Sequence, residues 1–167
     1  MPMQSGPVAF LSQSGGHCLQ FIHYAQAFGI GFSKVISFGN ACVLDSTDYL
    51  DFLAADGDTR FICLYLEGVK DGRKLLKMVK EVNRTKPVIL WKGGLTESGA
   101  RAAASHTASL AGSEAVWRAF YKQTGAVYVD SLDELADVLV TFLHLSPPRG
   151  RRLGVLLGGG GYSVAAA

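Results

Sequence analysis

Five short apolar runs, separated by amphipathic stretches, constrain this chain more than any other feature. The runs are Val8–Leu11, Val35–Phe38, Phe61–Leu66, Val88–Trp91 and Val127–Val129. Their residues are apolar continuously rather than alternately, so each run reads as a strand buried on both faces. Helical patterns follow them, at roughly His17–Phe28, Thr47–Ala55, Gly72–Asn83, Glu114–Gln123 and Leu132–Leu143. Ser131 and Glu134, at the start of the last pattern, fit a capping box. Repeated strand–helix pairs predict an α/β fold, a flavodoxin-like doubly wound parallel sheet with helices on both faces.

A chain of 167 residues is long enough for one domain with a real core. With 49% hydrophobic and 18% charged residues, disorder is excluded. The net charge of +2, with no basic run, gives no reason to expect nucleic acid as a partner. No run approaches the roughly 18 apolar residues of a membrane span, and Met1–Gly6 lacks the features of a signal peptide. Cys18, Cys42 and Cys63 form no CxxC pair and sit in or beside apolar stretches, so they read as buried free thiols of a cytoplasmic protein. No His, Cys or Asp cluster has metal-ligand spacing. Residues 1–146 read as one domain and 147–152, with Pro147, Pro148 and Gly150, as a linker. Residues 153–167 read as the truncated start of a next domain, with Leu153–Leu157 opening a sixth strand before Gly158–Gly161 and a new helix. Both ends therefore read as cut.

In such sheets ligands bind beyond the carboxyl ends of the strands. Those ends carry Ser12–Gly16, Gly39-Asn40, Glu67-Gly68, Gly93-Gly94 and Asp130. From the fourth end leaves Gly93–Gly112, GGLTESGARAAASHTASLAG, with His106 among small residues. Neutral imidazole is a nucleophile that can take a phosphoryl group, provided one nitrogen is held as donor and the other is free to attack. Glu67 is the natural acceptor, since it ends an apolar strand where a charge needs a partner. The competing reading makes His106 a surface-loop histidine and Glu67 a helix cap.

Ser14, Gly15 and Gly16 open the first helix, where unpaired N–H groups and a hydroxyl suit a phosphate. The alternatives are an ordinary strand-to-helix turn or a nucleophile elbow built on Ser14, against which Ser12 stands in place of the elbow's first glycine. Gly159, Gly160 and Gly161 repeat the strand–glycine–helix pattern as a second candidate phosphate helix. Lys92 and Arg101 read mainly as solvated surface, and His17, His23 and His144 as structural.

Two segments carry a family resemblance. Tyr65–Lys74 reads YLEGVKDGRK, and Gly99–Gly112 reads GARAAASHTASLAG. With Ser12–Gly15 and Ser37–Asn40 they resemble, in order, the NDP-forming acyl-CoA synthetases, the ADP-forming acetate–CoA ligase group related to succinyl-CoA synthetase. The resemblance covers roughly Gly6 to Leu145. It implies a ligase domain whose His106 carries a phosphoryl group, oriented by Glu67, with Ser14, Gly15 and Gly16 holding the phosphate. It also implies an acid–thiol ligase that interconverts acyl-CoA, ADP and phosphate with acid, CoA and ATP. No cofactor is expected to bind tightly here, while the full enzyme uses CoA, ADP or ATP, and Mg2+. The implied partners are a CoA-binding Rossmann domain, an ATP-grasp domain or subunit and a small carboxylic acid or its acyl-CoA, in an oligomer. Without those domains the chain is expected to be inactive alone. Some relatives use this architecture as a regulatory or ligand-sensing module, for instance fused to an acetyltransferase, and that alternative stays open. The sequence departs from the family at Ala108, at Leu157 and at Tyr162-Ser163.

Overall fold

The computed structural model describes residues 4–95 and 113–146 and, beyond them, 149, 150, 152, 154, 156 and 158–166. Among these residues five parallel strands form one sheet. They are β1 (Ser5–Ser12), β2 (Phe32–Ser37), β3 (Phe61–Leu66), β4 (Val88–Lys92) and β5 (Val127–Val129). The order β2-β1-β3-β4-β5 is that of a flavodoxin-like doubly wound sheet. The helices are α1 (Gly15–Ala27), α2 (Ser46–Ala55), α3 (Gly72–Val82), α4 (Glu114–Thr124), α5 (Leu132–His144) and α6 (Gly160–Ala166).

Side chains of successive strand residues point to opposite faces, and here both faces are covered. Phe10, Cys63 and Tyr65 pack with Phe21 of α1 and with Leu135 and Leu139 of α5. Leu11, Leu64 and Leu66 belong to the opposite layer, with Leu50 and Leu53 of α2, Leu75 and Val79 of α3, and Trp117 and Phe120 of α4. All six residues of β3 are buried, as its uninterrupted apolar run requires. The chain runs from β1 through α1 to β2 on one side, then returns through α2 to β3 on the other. The carboxyl ends of β1 and β3 therefore meet where the winding reverses, the place at which such sheets open a crevice.

The first five expected strands and the helices that follow them are present, with shifted bounds. Strand β2 starts at Phe32, three positions before the expected Val35, because it is an edge strand and tolerates Ser33 and Lys34. Lys34 pairs with Asp56 at 2.9 Å. At α5 the Ser131 hydroxyl accepts the Glu134 N–H at 3.2 Å, but Glu134 Oε2 takes the N–H of Asp130 rather than that of Ser131, so the capping box is only half formed.

Leu153, Val155 and Leu157 of the expected sixth strand lie outside the described residues, and Gly154 and Leu156 belong to no strand. Cys18 and Cys63 are buried free thiols, whereas Cys42 is exposed, contrary to expectation, because it sits in the loop after β2. Among the described residues no helix is long and apolar enough to cross a membrane.

Candidate functional site

At the meeting point of β1 and β3, Ser12 stands in register with Tyr65. The next residue of each strand exit ties the two together. The Gln13 N–H donates to the Tyr65 carbonyl at 3.1 Å. The Gln13 side-chain oxygen accepts the N–H of Glu67 at 2.5 Å and of Gly68 at 2.9 Å. Ser12 turns the chain into α1 by bonding to Ser14 twice, through its N–H at 3.0 Å and its carbonyl at 2.8 Å.

Ser14 is the N-cap of α1, its hydroxyl accepting the His17 N–H at 3.3 Å. Its φ of −105° and ψ of 119° are ordinary extended backbone. The strained turn of a hydrolase nucleophile elbow is therefore absent, which counts against that alternative. Gly15 and Gly16 are exposed in the first turn. An added Cβ would lie 3.6 Å from Ser37 Oγ at Gly15 and 3.7 Å from Ser14 Oγ at Gly16, ordinary contacts in both cases. Packing thus does not demand glycine at either position. Their small size instead leaves a helix N-terminus, with no acidic residue in its first turn, open to an anion.

Glu67 follows β3 directly and is half-buried. The Tyr65 hydroxyl donates to its Oε1 at 3.2 Å. Glu67 does not cap a helix; the cap of α3 is Asp71, which accepts the N–H groups of Arg73 and Lys74. His106 and Arg101 lie outside the described residues. The structure therefore brings together Glu67 and the Ser14–Gly16 turn, through Gln13. Gly159, Gly160 and Gly161 lie at the start of α6, a helix of seven residues.

Lys92 is not solvated surface. It is 3% exposed, and its ammonium donates to the carbonyls of Glu67 and Gly93. The Trp117 ring of α4 lies 5.5 Å away. Burial pushes this amine down to about 8, with the Glu67 carboxylate acting against the shift. Gly93 is confined as well, because a Cβ there would stand 2.6 Å from the Tyr65 hydroxyl oxygen.

His17 packs beside this cluster, its ring 4.3 Å from Tyr65 and 4.8 Å from Trp91. Burial lowers its pKa, and Glu67 opposes that. His23 and His144 are exposed on their helices.

Sequence reasoning missed Gln13, Tyr65 and Lys92. The signal for Lys92 was a cation closing an apolar strand next to a tryptophan. Gln13 gave no such signal, since its partners follow a different strand. Among the described residues no group of His, Cys, Asp or Glu could hold a metal ion.

A family model described as the succinyl-CoA ligase-like flavodoxin domain matches residues 5–142. Acetate–CoA ligase (ADP-forming) I of Archaeoglobus fulgidus is 44% identical over 98% of this chain and 24% of its own length. The alpha subunit of acetate–CoA ligase (ADP-forming) I of Pyrococcus furiosus is 42% identical over 96% of this chain and 35% of its own length. Among solved structures, the dinucleotide-forming acetyl-coenzyme A synthetase 1 of Ca. Korarchaeum cryptofilum, in complex with phosphate and ADP, superposes with a TM-score of 0.87 at 42% identity, covering 98% of this chain and 36% of that one. The chain thus spans about a quarter to a third of the length of these relatives.

Proposed function

The chain belongs to the succinyl-CoA ligase-like flavodoxin domain family, and from that premise we propose that it is the histidine-bearing ligase domain of an ADP-forming acyl-CoA synthetase. The reaction interconverts acyl-CoA, ADP and phosphate with the free acid, CoA and ATP. Phosphate attacks the thioester carbonyl, and CoA leaves as the thiol. In the acyl phosphate that results, His106 attacks phosphorus and the carboxylate departs. ADP, bringing its Mg2+, then takes the phosphoryl group from the histidine nitrogen.

The observation that carries this reading is the junction at which Gln13 holds Glu67 beside the open N-terminus of α1. Glu67 accepts a hydrogen bond from one imidazole nitrogen of His106 and leaves the other lone pair free. The amides of Gly15 and Gly16, with the Ser14 hydroxyl, stabilise the phosphoryl oxygens without a metal in this domain. Gly159–Gly161 supply the second, opposing helix N-terminus.

In this reading residues 1–146 form the ligase domain, 147–152 a linker and 153–167 the start of the next domain. The CoA-binding Rossmann domain and the ATP-grasp domain or subunit come from the rest of a cytoplasmic oligomer, and the substrate is a small carboxylic acid. This domain binds no cofactor tightly and is inactive alone.

The test is to incubate the full-length protein with labelled ATP and Mg2+ and assay for an acid-labile, base-stable phosphoryl group. Wild type is expected to acquire it and His106→Ala to lack it. A wild type without the label, or a label that survives in His106→Ala, overturns the shuttle. Fluorophosphonate labelling of Ser14 would point instead to a hydrolase.

A further inference from the structure

We propose that Lys92 is a positioning residue, which bridges the main-chain oxygens of Glu67 and Gly93 and so locks the carboxylate at the end of β3 to the start of the segment that carries His106. The inference rests on the proposed shuttle.

Strands β3 and β4 remain in register to their last pair, Leu66 with Lys92. One more ladder bond follows, from the Gly93 N–H to the Leu66 carbonyl at 2.9 Å. Beyond it the strands part, and the carbonyls of Glu67 and Gly93 have run past the end of the ladder. Half-buried carbonyls at a strand end gain from a fixed donor, and an ammonium reaching back over the last pair supplies both with one. Lys92 Nζ does so, at 2.9 Å to Glu67 and at bonding distance to Gly93.

A lysine is rarely buried this deeply unless it is paired, and an apolar residue would have extended the strand more cheaply. The arrangement is therefore specific to the two carbonyls it joins. Trp117 covers the ammonium from the α4 side. From the other side the Tyr65 hydroxyl fills the space a Gly93 side chain would need and also donates to Glu67 Oε1. The main chain at 67, the main chain at 93 and the Glu67 carboxylate thus move as one unit. A lysine meant to meet a phosphate directly would keep its ammonium open. This one is enclosed and satisfied by protein oxygens, so it acts through Glu67.

The test uses the full-length protein as wild type, Lys92→Met, Glu67→Gln and the double variant. Methionine keeps the apolar stem against Trp117 and removes the donors. Lys92→Met is expected to slow phosphoryl incorporation by about ten- to hundredfold with half-saturating ATP unchanged, as misplacement of a reacting group does. The double variant is expected to be no slower than Glu67→Gln alone, since the lysine works through that carboxylate. Losses that multiply would overturn the proposal. A second measurement needs no activity. Amide exchange at Glu67, Gly68 and Gly93 is expected to quicken in Lys92→Met while the interior of β3 stays protected. Unchanged exchange overturns the proposal even if the protein takes up no phosphoryl group, a result that by itself would count against the shuttle. Should Lys92→Met not fold, Lys92→Leu, which also lacks donors, enters the same cycle under the same criteria.

Discussion

Gln13 and Glu67, 54 positions apart, are joined by a single side-chain oxygen of Gln13 that accepts two consecutive N–H groups, of Glu67 at 2.5 Å and of Gly68 at 2.9 Å. Gly68 is buried, so its N–H has little access to water once the glutamine is removed. Gln13→Ala is expected to lower the unfolding free energy by about 1–3 kcal/mol, the cost of stranding buried donors. Urea denaturation measures it. Phosphoryl incorporation should fall as well, because Glu67 loses its tether. Full stability in Gln13→Ala would show that the two bonds carry no weight.

Gly93→Ala places a methyl group 2.6 Å from the Tyr65 hydroxyl oxygen. The expected loss is about 1–3 kcal/mol, typical of overpacking in a well-packed region. Tyr65→Phe removes the clashing oxygen, so the double variant should regain part of that stability. It should not regain activity, since the Tyr65 bond to Glu67 Oε1 is gone. Thermal melts of the three variants would expose an error here as losses that simply add.

The three cysteines should separate by rate towards a disulfide reagent. Burial pushes the Cys63 thiol strongly up and raises Cys18, against opposing bonds to the hydroxyls of Ser12 and Ser37. Both are buried, whereas Cys42 is exposed. The folded protein should titrate one thiol quickly, lost in Cys42→Ser, and the other two only in denaturant, because the thiolate is the reacting form. Fast modification of Cys18 or Cys63 in the native state would contradict the packing described.

Lys92 predicts a pH dependence whose sign follows from its burial. Its folded value near 8 lies below the 10.5 of a free lysine. Between those values the unfolded chain binds more protons than the folded one, so stability from this group rises with pH. The gain is complete above the unfolded value and is lost as pH falls through the folded one. Burial raises Tyr65 and Tyr121, so above about pH 10 those groups pull the other way. Subtracting the profile of Lys92→Met isolates the lysine. The difference should grow by up to about 3 kcal/mol from pH 8 to 10.5. A flat difference would mean the ammonium is not buried.

Ser14 is expected to play two separable parts. As N-cap of α1 it should cost about 1 kcal/mol when replaced by alanine and only a few tenths when replaced by glycine. As a phosphate ligand its hydroxyl should matter equally in both variants. Ser14→Gly should therefore unfold almost like wild type yet acquire the phosphoryl group more slowly. Equal rates in wild type and Ser14→Gly would remove the hydroxyl from the site.

Much of the frame was legible in the residues themselves. Strand β3 runs over Phe61–Leu66 as the apolar pattern predicts, because a strand covered on both faces must be apolar at every position. The edge strand β2 was read short because one of its sides is open and admits Ser33 and Lys34. Glu67 could be picked out as a charge closing an apolar run, and Ser14 as a cap before glycines. His106 is identified by its sequence surroundings alone. Cys42 was misplaced because an apolar neighbourhood in sequence does not say which side of a turn faces water.

The sequence by itself determined which segments become strands and helices, since backbone period and burial act on neighbouring residues. It also singled out Glu67, His106 and the Ser14–Gly16 turn as candidates for chemistry. Tertiary structure decided that Gln13 bonds to Glu67 and that Lys92 is buried rather than solvated. Those facts depend on β1, β3 and β4 lying side by side with parallel register, which sets carbonyls and donors from distant positions within 3 Å of one another. Hydrogen bonds act only at that range, so no local pattern can announce them until the sheet order has placed their partners.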